Sequence, residues 1–277
     1  SPVLIKNYLP TMNRSEIFLV MVSGMGTIAG SVMGTYIGML GGTDPAAKVL
    51  FATHLLSASV MAVPGSIVLA KMLCPQTEEA TDHVAISGKE KENSNILDAI
   101  SSGTVTGVKL MTNIAAMLLV FISLVALANY ITEGVIGRYT GLNDWIVKIT
   151  DGKAQGLTFQ FILGVITSPF MWLIGVPSQD IMLVGSLLGQ KTILNEFVAY
   201  FQLQQWKDAG LFMYEKSILM STYILCGFAN ISSIGILLGG LGVLAPEKRG
   251  LISRIGVPAM IGGALVSVLS ATIIGMI

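Results

Sequence analysis

Long runs without charged residues dominate the hydrophobic pattern of the chain. Six of them cover most of the sequence: Ile17–Thr43, Val49–Ala70, Leu110–Thr132, Ala154–Gln179, Ser217–Pro246 and Ile255–Ile277. About 18 apolar residues are enough for a helix to cross a bilayer, so each run predicts a membrane-embedded segment. We therefore expect an all-α, polytopic membrane protein.

Two of these runs contain polar or glycine-rich breaks. Ser217–Pro246 has 30 residues, which as one helix would measure about 45 Å, more than the roughly 30 Å of a hydrocarbon core. It is interrupted at "FANISS", and Ile17–Thr43 is interrupted at "GMGTIAGS". Free backbone groups are tolerated at membrane depth only where protein or a water-filled cavity faces them. Both runs therefore predict broken transmembrane helices.

The run Ala154–Gln179 predicts a re-entrant hairpin. It contains Gly and Pro residues and is followed directly by a segment that carries Asp180, Lys191 and Glu196. A continuous span does not tolerate that pattern, whereas two half-helices that meet at a turn near residues 175–180 and are buried in protein do.

A hairpin followed by a broken helix is predicted twice, because the segment before the first broken helix resembles the end of an equivalent hairpin. Such a duplication is typical of secondary transporters built from inverted repeats, in which discontinuous helices bind substrate and ion near the midplane. The predicted transport part comprises residues 1–73 and 154–277, with a polar loop at 74–109 and a scaffold span with an interfacial segment at 110–153.

Composition narrows the function further. The chain is 53% hydrophobic and 12% charged, against about 25% charged residues in soluble domains, so its surroundings are a lipid bilayer. A net charge of zero without a basic stripe argues against nucleic acid as a partner. No metal-ligand spacing, phosphate-binding glycine loop or nucleophile–base motif is visible, so we expect neither an enzyme nor a cofactor.

Glu196 is the strongest candidate for a functional side chain. A carboxylate at membrane depth costs roughly 2.5–3.5 kcal/mol on insertion scales and usually marks a functional site. The structural alternative is that Glu196 lies at a hairpin end and pairs with Lys191 in water. Asn195 beside it either caps a helix or binds, and the residues do not decide between these roles.

Asn230 and Ser233 stand three residues apart and share a face if the local backbone is helical. Their donors and acceptors, together with a carboxylate, suit a polyhydroxylated ligand such as a ribose. The alternative is hydrogen bonding between helices, worth about 0.6 kcal/mol per contact in membranes. Phe228 and Val32 are candidate walls for a planar ring, although core packing is the commoner role for such residues.

Thr27 places a hydroxyl at the break of the first broken helix, beside carbonyl groups released by that break. Oxygen donors of this kind ligate hard cations, but a Thr hydroxyl also commonly bonds back to a helical carbonyl. His54 is alone in an apolar span, and we interpret it as a satisfied core residue.

Four segments resemble the concentrative nucleoside transporter family, and the resemblance extends over the whole chain. They are "GSLLGQKTILNEFVAY", "CGFANISSIGILLGGLG" followed by "APEKR", "GTIAGSVMGTY" and "SVLSATI". The resemblance implies that Glu196 binds ribose hydroxyls, that Asn230 and Ser233 are ribose ligands with Phe228 beside them, and that Val32 lies against the nucleobase.

The resemblance also implies a coupling ion. Thr27 and Ile28 match the sodium-ligating pair on the first broken helix, but a Ser is usual where Thr27 stands in sodium-coupled members. The implied function is a secondary active symporter that imports nucleosides such as uridine by alternating access, as a homotrimer in the cell inner membrane. Proton coupling is the alternative, and a channel-like pore protein is a more distant one.

Part of the family's pattern lies outside these residues. The segment "SPVLIKNYL" matches the stretch that follows a Gly-Gln-Thr-Glu motif in the family's first hairpin, whose side chains read the nucleobase. The opening at Ser1 instead of Met fits a fragment of a longer chain. The sequence therefore leaves the preference for purine or pyrimidine nucleosides open.

Overall fold

A computed structural model describes residues 8–78, 96–150, 152 and 154–277. The chain divides into two compact units, one formed by Ser1–Val84 with Gln160–Ile277 and the other by Ala85–Phe159. Within the described residues all regular structure is helical, which confirms the all-α prediction. The α-helices are α1 (Arg14–Gly26), α2 (Gly30–Gly41), α3 (Pro45–Leu73), α4 (Ile96–Asn129), α5 (Arg138–Thr140), α6 (Leu142–Ile149), α7 (Phe159–Leu173), α8 (Ile181–Ile193), α9 (Glu196–Asp208), α10 (Glu215–Leu225), α11 (Ile231–Leu244) and α12 (Arg249–Ile274).

Both predicted broken helices are present. In the first, α1 ends at Gly26, and α2 begins at Gly30 after Thr27 has turned to an extended conformation with φ −105° and ψ 157°. In the second, α10 ends at Leu225 and α11 begins at Ile231. Each break leaves the last carbonyl groups of one half-helix and the first N–H groups of the next without helical partners.

The hairpin region contains one turn more than the sequence predicted. The expected turn joins α7 to α8 between Leu173 and Ile181. A second, tighter turn at Leu194 and Asn195 joins α8 to α9, and these two helices pack against each other. Asn195 is the N-cap of α9, because its side chain accepts a hydrogen bond from the backbone N–H of Val198 at 2.9 Å. Glu196 is therefore the first residue of a half-helix that starts at this tip.

Helix α12 is central to the larger unit and packs against α1, α3, α10 and α11. It approaches both breaks closely through Gly263, where an added Cβ atom would lie 2.8 Å from the Met25 Cβ and 3.3 Å from the Ala229 Cβ. Around it are two buried apolar clusters. One includes residues of α2, α8, α9 and α10, and the other includes residues of α1, α11 and α12.

Two described helices are long and apolar enough to cross a membrane, Pro45–Leu73 and the segment Pro246–Ile274. Four shorter apolar helices belong to the hairpin region and to the second halves of the broken helices, which are expected to be shorter than a full span. Large apolar side chains on α3 and α7, among them Val60 and Trp172, are exposed. Such faces are typical of contact with lipid.

The smaller unit contains the helix Leu142–Ile149, which lies within residues 110–153, where the sequence predicts a scaffold span and an interfacial segment. Asn143 on this helix donates to the Glu133 carbonyl at 3.0 Å and accepts from the Leu157 N–H at 2.9 Å. Glu133 lies in a π-helical turn, Tyr130–Gly137, that continues α4. The predicted hairpin end at residues 1–7 and residues 79–95 of the predicted polar loop lie outside the described residues. Residues 96–109 of that loop are instead the first turns of α4.

Candidate substrate and ion site

The centre of the candidate site is a buried pair formed by Glu196 and Asn230. The Asn230 side-chain N–H donates to the Glu196 carboxylate, with 2.8 Å between Nδ2 and Oε2. Glu196 is 7% exposed and Asn230 2% exposed. The structure places Glu196 in the protein interior, and its function as a carboxylate stays a prediction. The alternative of a solvated pair with Lys191 is wrong because both side chains are buried.

The orientation of the Asn230 amide is set by its other end. Its Oδ1 accepts from the Ser232 hydroxyl at 2.7 Å, and from the Ser233 N–H and hydroxyl at 2.9 Å each. The bond to the Ser233 N–H makes Asn230 the N-cap of α11. With the oxygen occupied in this way, the donor nitrogen is directed at Glu196. The same side chain therefore starts a half-helix and presents a fixed donor.

Two half-helix N-termini meet at this pair, because Glu196 is the first residue of α9 and Asn230 precedes α11. The N-terminus of a helix carries a partial positive charge, which stabilises a carboxylate nearby. This explains how an acidic side chain can be buried here. A helix contact and a ligand site, the two alternatives that the sequence leaves open for Asn230 and Ser233, are therefore not exclusive.

Ser233 and Phe228 lie next to the pair. The Ser233 hydroxyl is also placed to donate to the Phe228 carbonyl, so its single proton has two nearby acceptors. The Phe228 residue is partly exposed, whereas Ser233 is 4% exposed. A ligand hydroxyl that replaced one of these contacts would find a donor and an acceptor on the same short segment.

Tyr36 is a component that sequence reasoning missed. It is fully buried and interacts electrostatically with Glu196, and its hydroxyl has no hydrogen-bond partner of normal geometry among the residues that the structure describes. Its ring stacks on Tyr200 with 4.1 Å between ring centroids. Tyr36 lies one turn after Val32 on α2, so the two residues share a helix face. The four-residue spacing of Val32 and Tyr36 on an apolar helix was the sequence signal that could have identified Tyr36 as part of the site.

The predicted ion ligands lie at the first break. The Thr27 hydroxyl donates to the Ser23 carbonyl at 2.9 Å, which is the local bond that the sequence left open as an alternative. The hydroxyl oxygen keeps lone pairs for a cation after donating its proton. Ile28 is a buried member of the same apolar cluster as Tyr36, so its contribution to an ion would come from its backbone.

The two breaks touch each other at Gly227. This residue has φ +124°, and an added Cβ atom would lie 2.8 Å from the Gly26 carbonyl oxygen and 2.9 Å from that of Met25. Only glycine combines such a φ with this close approach. The carbonyl groups at the end of α1 are therefore held directly against the break that carries Asn230.

The sequence matches known transporters over its whole length. The family model described as "Na+ dependent nucleoside transporter C-terminus" matches residues 54–275. The chain belongs to the concentrative nucleoside transporter family. Among its relatives in this family is an uncharacterized transporter of Haemophilus influenzae, 38% identical over 279 residues that cover 100% of this chain and 62% of the relative. The sodium/nucleoside cotransporter 1 of Rattus norvegicus is 38% identical over 291 residues, 100% of this chain and 42% of that protein.

Solved structures of the concentrative nucleoside transporter CNTnw have the same fold. An inward-facing substrate-bound state has a TM-score of 0.81 and 35% identity, and covers 99% of this chain and 60% of the other. An outward-facing variant has a TM-score of 0.84, again with 35% identity, and covers 100% and 61%. This likeness confirms a polytopic membrane fold. The chain thus spans about three fifths of the length of these bacterial and structural relatives.

Proposed function

We propose that the protein acts in a secondary active symporter that imports nucleosides such as uridine. The observation that carries this proposal is the buried Glu196–Asn230 pair at the start of two half-helices, in a chain of the nucleoside transporter family. A carboxylate accepts strong, charge-assisted hydrogen bonds from ligand hydroxyls. The amide donor of Asn230 and the hydroxyl of Ser233 supply partners for the ribose oxygens.

The apolar side of the site fits a nucleobase. Val32 is partly buried against the cluster that contains Tyr36, and Phe228 is partly exposed beside Ser233. Aromatic and aliphatic surfaces next to a few fixed polar groups are typical of small-molecule sites.

Recognition of ribose can be tested on Asn230 and Ser233. Asn230→Ala and Ser233→Ala should each weaken uridine binding about tenfold, since an unpaired buried polar group costs about 1–3 kcal/mol. The 2′-deoxy or 3′-deoxy analogue that lacks the matching hydroxyl should lose much less. Apparent affinities from competition uptake assays measure both effects.

The control for this experiment is Ser221→Ala. Ser221 is also buried, but its hydroxyl bonds to the Ser217 carbonyl of its own helix at 2.7 Å. We expect this variant to transport uridine and the analogues like the wild type. Equal losses for uridine and both analogues in the Asn230 variant would mean that Asn230 holds helices together and does not read ribose.

We further propose that sodium drives uptake and that Thr27 is part of its site. The support is a hydroxyl next to the carbonyl groups at the end of α1, which are hard oxygen donors. Some relatives are named sodium/nucleoside cotransporter, whereas the Helicobacter pylori relative is named nucleoside permease NupC. The ion is cargo of the transport cycle and no other cofactor is proposed.

The test is radiolabelled uridine uptake by the full-length protein in proteoliposomes under separate sodium and proton gradients. At fixed pH, replacement of sodium by choline should abolish concentrative uptake. Thr27→Val should raise the sodium concentration for half-maximal uptake several-fold, because one ligand is lost. Thr53→Val is the matched control, since Thr53 makes the same bond to a helical carbonyl, to Val49 at 2.9 Å, on an exposed position.

Proton coupling is the second candidate, and a contact of the titratable side chain of His54 supports it. His54, as expected for a satisfied residue, interacts with another side chain, with 3.2 Å between its Nδ1 and the Tyr223 hydroxyl. Concentrative uptake that persists in choline and is abolished by a protonophore would assign coupling to protons and to Glu196 or this pair. Uptake that neither saturates nor concentrates uridine would instead indicate a channel-like pore.

The proposed assembly is a homotrimer in the cell inner membrane, on the basis of the family resemblance. The division into a mobile transport part, residues 1–73 and 154–277, and a scaffold in residues 110–153 belongs to the same proposal. Alternating access would then move the transport part against the scaffold. Light scattering of the purified protein would check the trimer.

A further inference from the structure

Lys191 is a fully buried cation outside the pair described above. Its ammonium group donates to the Ile224 carbonyl at 2.7 Å and to the Ser267 hydroxyl at 3.0 Å, and its exposed fraction is 0%. Ser267 in turn donates to the Cys226 carbonyl at 2.6 Å. Among the described carboxylates none forms an ion pair with Lys191. The atoms in direct contact with the ammonium group are therefore neutral oxygens, and Glu196 acts on it electrostatically without forming an ion pair.

The position of these oxygen atoms explains why they attract a cation. Ile224 and Cys226 lie at the C-terminal end of α10, where the second helix breaks. The C-terminal end of a helix carries a partial negative charge and carbonyl groups without intrahelical donors. Lys191 belongs to the last turn of α8, shortly before the tip at Leu194 and Asn195. The hairpin thus delivers an ammonium group to the end of a half-helix.

The first broken helix offers the same kind of oxygen set without an ammonium group from the described residues. At the end of α1 the Ser23 carbonyl accepts from Thr27, and the carbonyl groups of Met25 and Gly26 face Gly227. Both breaks thus combine a side-chain hydroxyl, of Thr27 at the first and of Ser267 at the second, with carbonyl groups at a helix end. The two breaks differ in the source of positive charge. Lys191 supplies it at the second break, and an ion would supply it at the first.

We propose that Lys191 is a tethered cation, which occupies at the second broken helix the place that a sodium ion takes at the first. The role of sodium at Thr27 rests on the proposed function, whereas the role of Lys191 at α10 rests on its own contacts. It follows that the second break needs no ion from solution. If these two breaks hold all the coupling cations, we expect one cation to be transported with each nucleoside.

The test is Lys191→Ala, which removes the ammonium group and leaves the oxygen atoms of Ile224, Cys226 and Ser267. Uridine uptake at low sodium should fall about tenfold, because a buried carbonyl loses its partner. The Hill coefficient for sodium should rise from about one to about two, as a second ion enters. Ethylammonium, a small analogue of the missing side-chain end, should restore uptake toward the wild-type level.

Two further variants separate charge from volume. Lys191→Met fills the space without a charge, so it should stay poorly active, keep a sodium Hill coefficient of about one and show no rescue by ethylammonium. Lys216→Ala removes an exposed lysine at the other end of the same half-helix, and it should behave like the wild type. If Lys191→Ala does not reach the membrane, Lys191→Met decides: uptake at the wild-type level in that variant overturns the proposal.

A measurement without nucleoside distinguishes this proposal from the proposed function. The melting temperature of the purified protein is compared in sodium, choline and ethylammonium chloride, for wild type and Lys191→Ala. A ligand that binds only the folded state stabilises it, so the variant should gain more stability from sodium and from ethylammonium than the wild type. An equal response of the two proteins overturns the tethered-cation role, even if neither transports uridine. Absence of uridine uptake by the wild type overturns only the proposed function.

Discussion

Glu196→Gln should lower the efficiency of uridine uptake by about 10- to 100-fold while the protein still folds. A hydrogen bond to a charged group contributes about 1.5–3 kcal/mol, and each 1.4 kcal/mol corresponds to a factor of ten. The amide keeps one oxygen for the Asn230 donor, which is 2.8 Å from the carboxylate, so the contact between α9 and α11 survives. What it loses is the charge and the second acceptor for ribose hydroxyls. Initial rates of uridine uptake in proteoliposomes measure the effect.

The matched control for Glu196→Gln is Glu215→Gln. Glu215 is the first residue of α10, as Glu196 is of α9, but it is exposed. Its replacement removes the same charge at the same helix position and should leave uptake unchanged. Melting temperatures of both variants should stay close to that of the wild type. Wild-type uptake by Glu196→Gln would show that the carboxylate does not bind the substrate.

Gly227→Ala should destabilise the protein strongly and abolish uptake. A non-glycine residue held at positive φ costs about 1–3 kcal/mol. In addition, the new Cβ atom would lie within 2.9 Å of the carbonyl oxygens of Met25 and Gly26, so one of the two breaks must shift. We expect a clearly lower melting temperature and loss of both sodium and uridine dependence, measured on the purified protein and in proteoliposomes.

Gly235→Ala is the control for this substitution. Gly235 lies inside α11, and an added Cβ atom meets nothing within 4 Å. Alanine favours the helix over glycine by about 1 kcal/mol, so this variant should be as stable as the wild type or slightly more stable. If Gly227→Ala melts and transports like Gly235→Ala, the two breaks do not hold each other in place.

The broken helices were predictable from the sequence because their signal is local. A charge-free run such as Ser217–Pro246 exceeds the bilayer thickness, and its polar residues lie together at the point where α10 and α11 separate. The candidates Glu196, Asn230 and Ser233 were found for the same reason. Each is polar in an apolar context, and the structure brings all three together.

The tip of the hairpin could not be located in this way. Glycine and proline mark the turn near residues 175–180 in the sequence. The turn before Glu196 contains neither, and its one sequence signal is Asn195, which caps α9 through a hydrogen bond from the Val198 N–H. Lys191 was interpreted as a charge that a span would not tolerate. Its partners Ile224 and Ser267 lie 33 and 76 residues further along the chain. Such contacts form only when the helices pack, and the hydrophobic periodicity of the sequence does not predict them.

Helix α12 contacts both breaks, through Gly263 beside Met25 and Ala229 and through Ser267 on the Cys226 carbonyl. The proposed nucleoside site and the proposed ion site are thus both attached to one helix. In the proposed symporter this helix would move the two sites through the same displacement, so a nucleoside and an ion that are bound together would cross the membrane in one step. That joint crossing would follow from the packing of a single helix against both breaks.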